Sequence, residues 1–459
     1  MSKYSTLTLV IIILIVTFFF SKFIVREPNL LIIGFILSIL VFFISFFSPD
    51  IGLLFLIFSM LLSPEIKLAE VPGREVVIRI DDLLVFSVFF GWFMQSVFVK
   101  KLEIVVTKLL LPIFVYTLIY FVSTILGIFT QEVVINKAFF YLLKYTEYFV
   151  IYFLVTNIVK SRKQVIVYIL CFFITAIVVN LHGYSLIGKV DRLYAPFDTP
   201  EYVIGSGQDS GAGEANTYGG YLVIIISLAL SFFCYLKSVK KSLLILIFII
   251  FSLVPLAYTL SRSSYLAFIV MVITTIFFTE HKKIFLIMSL IISIMFIIIF
   301  MPKVISTVSN RINETFTGPN YSSEEFVIMG IKIRELSALA RVDAWRRAFV
   351  KFLPNKPILG HGITGVGLVD TQIPLIIGEV GLVGLFTFFW LIFTIYKESF
   401  IIFKTTKDNI FKALSLFQIT ILTALLAQSI GANTFIIVRI MEPFWFLCGI
   451  TMMAKVVEN

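Results

Sequence analysis

RVDAWRRAFVKFLPNKPILGHGITG, residues 341–365, is the stretch on which the reading of this chain turns. It mixes arginines, a tryptophan, two prolines and a glycine cluster. It lies inside a long polar segment, Pro302 to Gln372, in a sequence otherwise made of one apolar run after another. The segment is too polar to enter lipid, and the runs around it are too apolar to leave it. The rest of the chain therefore reads as a scaffold that carries this loop to one face of a membrane.

Composition makes the same demand. The chain is 59% hydrophobic and 14% charged, with 51 Phe among 459 residues, more apolar surface than a soluble domain can hide. A signal peptide at Leu7 to Val25, after Lys3, is set aside: no small-residue cleavage site follows and the next apolar run begins almost at once. Cys171, Cys234 and Cys448 fall in or beside expected spans and read as core fillers. The net charge of +10 comes mostly from short loops between spans, which is a topology signal and suits an anionic lipid surface rather than nucleic acid.

Allowing about 20 apolar residues per crossing gives an all-α integral membrane protein of about fourteen helices. They are expected to start near Leu7, Leu30, Ile51, Leu83, Leu109, Ala138, Val165, Tyr218, Leu243, Ser264, Ile284, Ile373, Ile410 and Thr434. Residues 1–301 hold the first eleven, with outer loops near 65–82 and 185–216; residues 302–372 form the large outer loop; residues 373–459 hold the last three. The lysine-rich short loops, such as Lys100 to Lys108 and Lys397 to Lys407, share the side of the N-terminus, so both termini are expected in the cytoplasm. The glycine-dense YAPFDTPEYVIGSGQDSGAGEAN within 185–216 reads as irregular backbone that approaches a ligand or as a tether. No internal repeat supports a transporter built from inverted halves.

Within the large loop, Val342, Trp345, Phe349 and Phe352 recur at helical spacing and predict an apolar stripe to lie on the membrane surface or against the bundle, with Pro354 and Pro357 ending the helix. Arg341 and Arg346 flank that stripe. Arg262, in TLSRSSYLAF, begins an apolar run on the outer side, where an arginine is costly unless it is paired or faces a polar cavity. Arginine is also the natural clamp for phosphate oxygens, because its planar fork donates two parallel hydrogen bonds. Arg262 and Arg341, with Arg192 and Arg346 in outer loops, point to an anionic lipid-phosphate ligand. For proton transfer the outer face offers His361 and Asp370, and Asp370 precedes a span as either a base or a helix cap. Arg439 and Glu442, three apart, predict a buried structural pair. No P-loop, metal cluster, nucleophile elbow or outer DxD is present, so no metal or cofactor is expected.

Five stretches carry a resemblance. The run from Arg341 to Trp345, then KPILGHGITGVG, then IIGEVGLVGLFTFFWLI (376–392) resembles the R-x-x-x-W, P-x-x-G-x-G and E-x-G-x-x-G series of the O-antigen polymerase and O-antigen ligase (Wzy/WaaL-like) family. SRSSYL at Arg262, including Tyr265, resembles the family's Ser-Arg span start, and GEANTYGGYL, including Glu214, its polar lead-in to an earlier span. The resemblance implies a GT-C-type glycosyltransferase acting on undecaprenyl-pyrophosphate-linked oligosaccharide at the periplasmic face of a bacterial inner membrane. Arg262 and Arg341 would then hold pyrophosphate, and Arg192, Arg346, His361, Glu214 and Tyr265 would contribute to substrate binding. Ligases of the family carry a His-Asn pair where this chain has Asp370 and Thr371. That departure favours a polymerase joining lipid-linked repeats, with a chain-length-regulating co-polymerase as a candidate partner, over a ligase delivering glycan to lipid A core. A solute transporter and a non-catalytic assembly partner are the readings from other classes.

Overall fold

The structure is a computed structural model that describes residues 30–71, 74–99, 103–198, 214–300, 336–367 and 369–458, with short pieces between 306 and 333. The expected span at Leu7 and most of the glycine-dense 199–213 stretch lie outside the described residues. Helices begin close to the other expected starts, as they must where lipid offers the backbone no hydrogen-bond partner. Among the described residues, eight helices are long and apolar enough to cross a bilayer, and four further apolar helices are shorter. The chain divides into two compact units.

The first unit comprises residues 1–107, 144–214 and 438–459. It contains α1 (Leu30–Phe47), α2 (Pro49–Leu62) and α3 (Ile80–Phe98), joined by an antiparallel hairpin of β1 (Glu65–Val71) and β2 (Arg74–Arg79). Small residues let the helices close up. A Cβ on Gly91 of α3 would lie 2.7 Å from the Phe42 carbonyl of α1, and one on Gly52 of α2 would lie 2.3 Å from Ser45 Oγ.

The hairpin sets Glu65 opposite Arg79, and each engages the helix Val438–Met452. Arg79 Nη2 lies 3.3 Å from Glu442 and 2.6 Å from Asp81, while Arg439 Nη2 lies 3.2 Å from Glu65. Arg439 also donates to the Pro196 carbonyl at 2.6 Å. The expected Arg439–Glu442 pair is thus corrected. Both side chains are buried, but each is matched by the opposite charge at one end of the hairpin, which offers closer partners than a neighbour on the same helix. Removing one member leaves a buried charge uncompensated, which costs about 3–5 kcal/mol. Arg439→Ala is expected to lower the thermal midpoint in detergent sharply. The Glu65→Ala/Arg439→Ala double variant should recover part of that loss, and simple additivity of the two would refute the pairing.

The second unit comprises residues 108–143 and 215–437. Its centre is α7 (Ala215–Tyr235), buried along its whole length; for reference, α4 is Leu110–Phe129, α5 is Ile135–Ile158 and α6 is Arg162–Leu186. Around α7 pack α8 (Val239–Tyr258), α9 (Arg262–Phe278) and the helix Asn409–Gln428, with α10 (Lys283–Phe300) alongside. The large loop contributes α11 (Leu336–Arg347), which runs through a π turn, Ala348–Phe352, to Asn355. Its buried face shares only Phe352 with the expected stripe. Ala344, Ala348 and Phe352 face inward, in one small core with Val369, Leu375 and Ile377. Alanines at that spacing let the helix lie close against the segment that opens the next span, where a tryptophan would hold it off. Trp345 instead stacks on Phe349 at 6.0 Å, and Phe349 is 55% exposed, as suits aromatic rings at a membrane interface.

Candidate functional site

The site is built around a broken helix. α12 (Gln372–Thr405) is interrupted at Gly381, whose φ of 64° and ψ of −161° no helix contains. The break strands four backbone groups: the carbonyls of Gly378 and Glu379, and the N–H groups of Leu382 and Val383, which an unbroken helix would pair with each other. The turn from Pro357 to Gly362 slots into the gap and satisfies all four. His361 N–H donates to the Gly378 carbonyl and Gly362 N–H to that of Glu379, both at 2.8 Å. Leu382 N–H donates to the Pro357 carbonyl at 2.8 Å and Val383 N–H to that of Ile358 at 3.2 Å.

Glycine is required on both sides of this lock. A Cβ on Gly381 would lie 2.5 Å from the Ile358 carbonyl oxygen, and one on Gly360, at φ 65°, would lie 2.6 Å from the Glu379 carbonyl carbon. The P-x-x-G-x-G and E-x-G-x-x-G motifs are therefore two halves of one backbone joint. α4 clamps it from the side. Ser123 donates to the Glu379 carbonyl at 2.6 Å and to that of Leu359, and Ile363 N–H donates to Thr124 Oγ1 at 3.2 Å. The Glu379 carboxylate completes the joint by accepting from Thr364 N–H at 3.0 Å.

His361 sits within the joint. Its Nδ1 is 2.9 Å from the Glu132 carboxylate, which also takes the Lys356 ammonium at 2.8 Å, and its ring meets Phe352 edge-on at 6.0 Å. Burial alone would raise the Glu132 carboxyl, but the hydrogen bonds from Lys356 and His361 outweigh it and hold the group below its ordinary value.

The second half of the site lies where α7, α9 and the loop 428–436 meet. Ser261 caps α9 by accepting from Ser264 N–H, and its hydroxyl donates to Asn216 Oδ1 at 2.7 Å. Gln428, ending α13 (Asn409–Gln428), donates to the Asn216 carbonyl at 3.1 Å and lies 3.2 Å from Ser264 Oγ. A Cβ on Gly219 would lie 2.3 Å from Ser264 Oγ, so the polar lead-in to α7 and the Ser-Arg start of α9 are packed against each other. Gly431 then admits Arg341: a Cβ there would lie 3.1 Å from Ser263 Cβ and 3.6 Å from Arg341 Cζ. The same loop holds the start of α12. Gln372 N–H donates to the Ser429 carbonyl at 3.2 Å, Phe435 N–H donates to Gln372 Oε1 at 2.9 Å, and Asn433 donates to the Val369 carbonyl.

This arrangement brings Arg341, the Arg262 turn of α9 and the segment containing Asp370 to one loop. Arg262 is half-buried at the first position of α9. Asp370 is exposed between buried Val369 and Thr371, and the cap position of α12 belongs to Thr371, so Asp370 is not the helix cap. Arg346 is exposed on α11, away from the buried alanine face. The Tyr265 hydroxyl donates to the Ala257 carbonyl and braces the turn between α8 and α9. Arg192 and Glu214 belong to the first unit, where Glu214 N–H donates to Asp198 at 2.9 Å. The sequence reading missed Glu132, Ser123 and the loop 428–436. Glu132 lies outside the expected loops, but the run QSIGANT is a polar interruption between two apolar spans and was visible as such.

A helical membrane bundle with a broken span, a glycine joint and two arginines near one loop defines a polytopic membrane protein with a polar site at the ends of its helices. Residues 247–379, which include Arg262, Arg341, His361, Asp370 and Glu379, match the family model described as O-antigen ligase. That stretch is therefore similar to the O-antigen ligase family, in keeping with the resemblance its motifs carry. No curated protein matches the chain.

Two outcomes check this geometry. Gly381→Ala is expected to cost at least about 2–3 kcal/mol, since it combines a positive φ with a backbone clash, and to appear as a lowered melting midpoint and faster amide exchange at Leu382 and Val383. Glu132, with its lowered value, contributes stability above about pH 4.3 that is lost as the pH falls through that lowered value. Glu132→Gln should flatten the acid limb of a stability–pH curve by well under 1 kcal/mol, because solvent screens a group that is about a third exposed.

Proposed function

We propose that the protein is a polysaccharide polymerase of the GT-C type, joining undecaprenyl-pyrophosphate-linked oligosaccharide repeats at the periplasmic face of a bacterial inner membrane. The observation that carries this reading is the meeting of Arg341, the Arg262 turn and the Asp370 segment on the loop 428–436. Arg262 and Arg341 bind the pyrophosphate of the donor and stabilise the charge that grows on it as it leaves. Asp370 takes the proton of an acceptor hydroxyl at the non-reducing end of a second lipid-linked repeat. The acceptor oxygen bonds to the donor's anomeric carbon, the bond from that carbon to the pyrophosphate oxygen breaks, and undecaprenyl pyrophosphate departs. Two cationic side chains neutralise the leaving group. The lysine-rich short loops, with Lys404 2.6 Å from Glu280 at one of them, favour a cytoplasmic side opposite the site.

The second reading is a ligase that delivers the same glycan to lipid A core or another acceptor, and the description of the matched family favours it. Asp370 and Thr371 in place of that family's ligase His-Asn pair favour the polymerase. The two separate in cells. Loss of a polymerase leaves single repeats on undecaprenyl pyrophosphate, whereas loss of a ligase leaves long chains there.

In a reconstituted assay with lipid-linked repeats, Arg341→Ala is expected to lower the rate by about 10²–10³-fold, the size of effect seen when one donor to a developing anion is removed. Arg341→Lys should recover only part of it, because an ammonium cannot present the planar fork. Asp370→Asn should lower it by about 10²–10⁴-fold at unchanged donor KM, as for a lost general base. Full polymer ladders from both Arg341→Ala and Asp370→Asn would remove these roles.

A further inference from the structure

The loop 428–436 and the start of α12 hold a set of neutral polar side chains, each with a polar atom that takes no partner within the protein. Gln372 spends its Oε1 on Phe435 N–H, and its Nε2 takes no partner. Gln428 spends its Nε2 on the Asn216 carbonyl, and its Oε1 takes none. Asn433 spends its Nδ2 on the Val369 carbonyl, and its Oδ1 takes none. The hydroxyls of Thr371 and Thr434 take none either, and the side chains of Thr371, Gln372, Gln428 and Thr434 are fully buried. Each amide is oriented by its satisfied end, so the other end has a fixed direction. A buried polar atom without a partner costs about 1–3 kcal/mol, so five such groups tied to one loop are a standing cost that a ligand would relieve.

The chemistry of the set selects that ligand. It contains no carboxylate, and the Arg341 guanidinium beside Gly431 together with the Gln372 amide donor disfavours a cation. Two carbonyl acceptors, from Gln428 and Asn433, disfavour an anion. What remains is one amide donor, two acceptors and two hydroxyls that serve as either, the pattern that complements a neutral ring bearing several hydroxyl or acetamido groups. We propose that Thr371, Gln372, Gln428, Asn433 and Thr434 form a saccharide subsite that binds the donor sugar attached to the pyrophosphate, beside Arg341. The inference rests on the proposed use of a lipid-linked donor and assigns to that site the residues that read the sugar.

The test uses the full chain in nanodiscs. It compares binding of undecaprenyl pyrophosphate with binding of single lipid-linked repeats extracted from cells lacking the gene. Thr434→Val is isosteric, and Gln372→Glu keeps the acceptor for Phe435 while replacing the donor; thermal melts confirm that both fold. Wild type should bind the glycosylated lipid about tenfold or more tighter, and each variant should lose about five- to tenfold of that gain while binding undecaprenyl pyrophosphate as before. Equal binding of the two lipids by wild type, or variants that weaken both lipids alike, overturns the subsite. Arg341→Ala separates the two claims. Undecaprenyl pyrophosphate binding that survives this change removes the pyrophosphate assignment, whereas a glycan-dependent gain sensitive to Thr434→Val still supports the subsite. Binding of neither lipid by folded wild type overturns both.

Discussion

One constraint governs the second unit: a helix broken inside a membrane-spanning run needs protein partners for the backbone groups it strands. At Gly381 four such groups appear, and the turn from Pro357 to Gly362 supplies a partner for each. Everything that positions the loop follows from this exchange. The turn must arrive at that depth, so α11 and its π extension must lie against the opening of α12, and the alanines at 344 and 348 permit it. Because the joint is made of backbone, it fixes distance and direction more rigidly than side-chain contacts would. Its cost is the obligatory glycine at 360 and 381, where any Cβ meets backbone.

With the break locked, the opening of α12 becomes a short arm from Gln372 to Val380 that is held at both ends. The joint holds one end and the loop 428–436 holds the other through Ser429, Asn433 and Phe435. That loop also receives Arg341 at Gly431 beside Ser263, so two loops far apart in sequence define one rigid corner. Preorganisation of this kind is what a cationic clamp needs, since donors fixed before the reaction spend nothing on reorganisation as charge develops.

Much of this was legible in the sequence. Helix starts follow from apolar run lengths, and Arg341, the Pro357–Gly362 turn and the Glu379–Gly384 motif stood out by residue type and order. What the sequence could not show was that the two glycine motifs hydrogen-bond to each other, because periodicity reports faces and not partners. Of the expected stripe only Phe352 joins the buried core, for a related reason. The stripe reading ranked Val342, Trp345 and Phe349 by hydrophobicity, whereas burial here was decided by how closely two backbones could approach, which selects Ala344 and Ala348. Arg439 and Glu442 were recognised as buried but paired with each other, because their true partners, Glu65 and Arg79, come from a hairpin that a helix-counting argument passes over. Glu132, isolated in a short turn, carried no signal at all until His361 and Lys356 were seen against it.

The two units also handle polarity differently. In the first unit, charges are buried against opposite charges: Arg79 against Glu442 and Asp81, Arg439 against Glu65. These ion pairs tie the hairpin to the helix Val438–Met452. At the corner of the second unit the buried groups are amides satisfied at one end and threonine hydroxyls that take no partner, with an arginine beside them. A balanced ion pair loses stability when either partner is drawn away, whereas a half-satisfied amide gains by meeting a new partner.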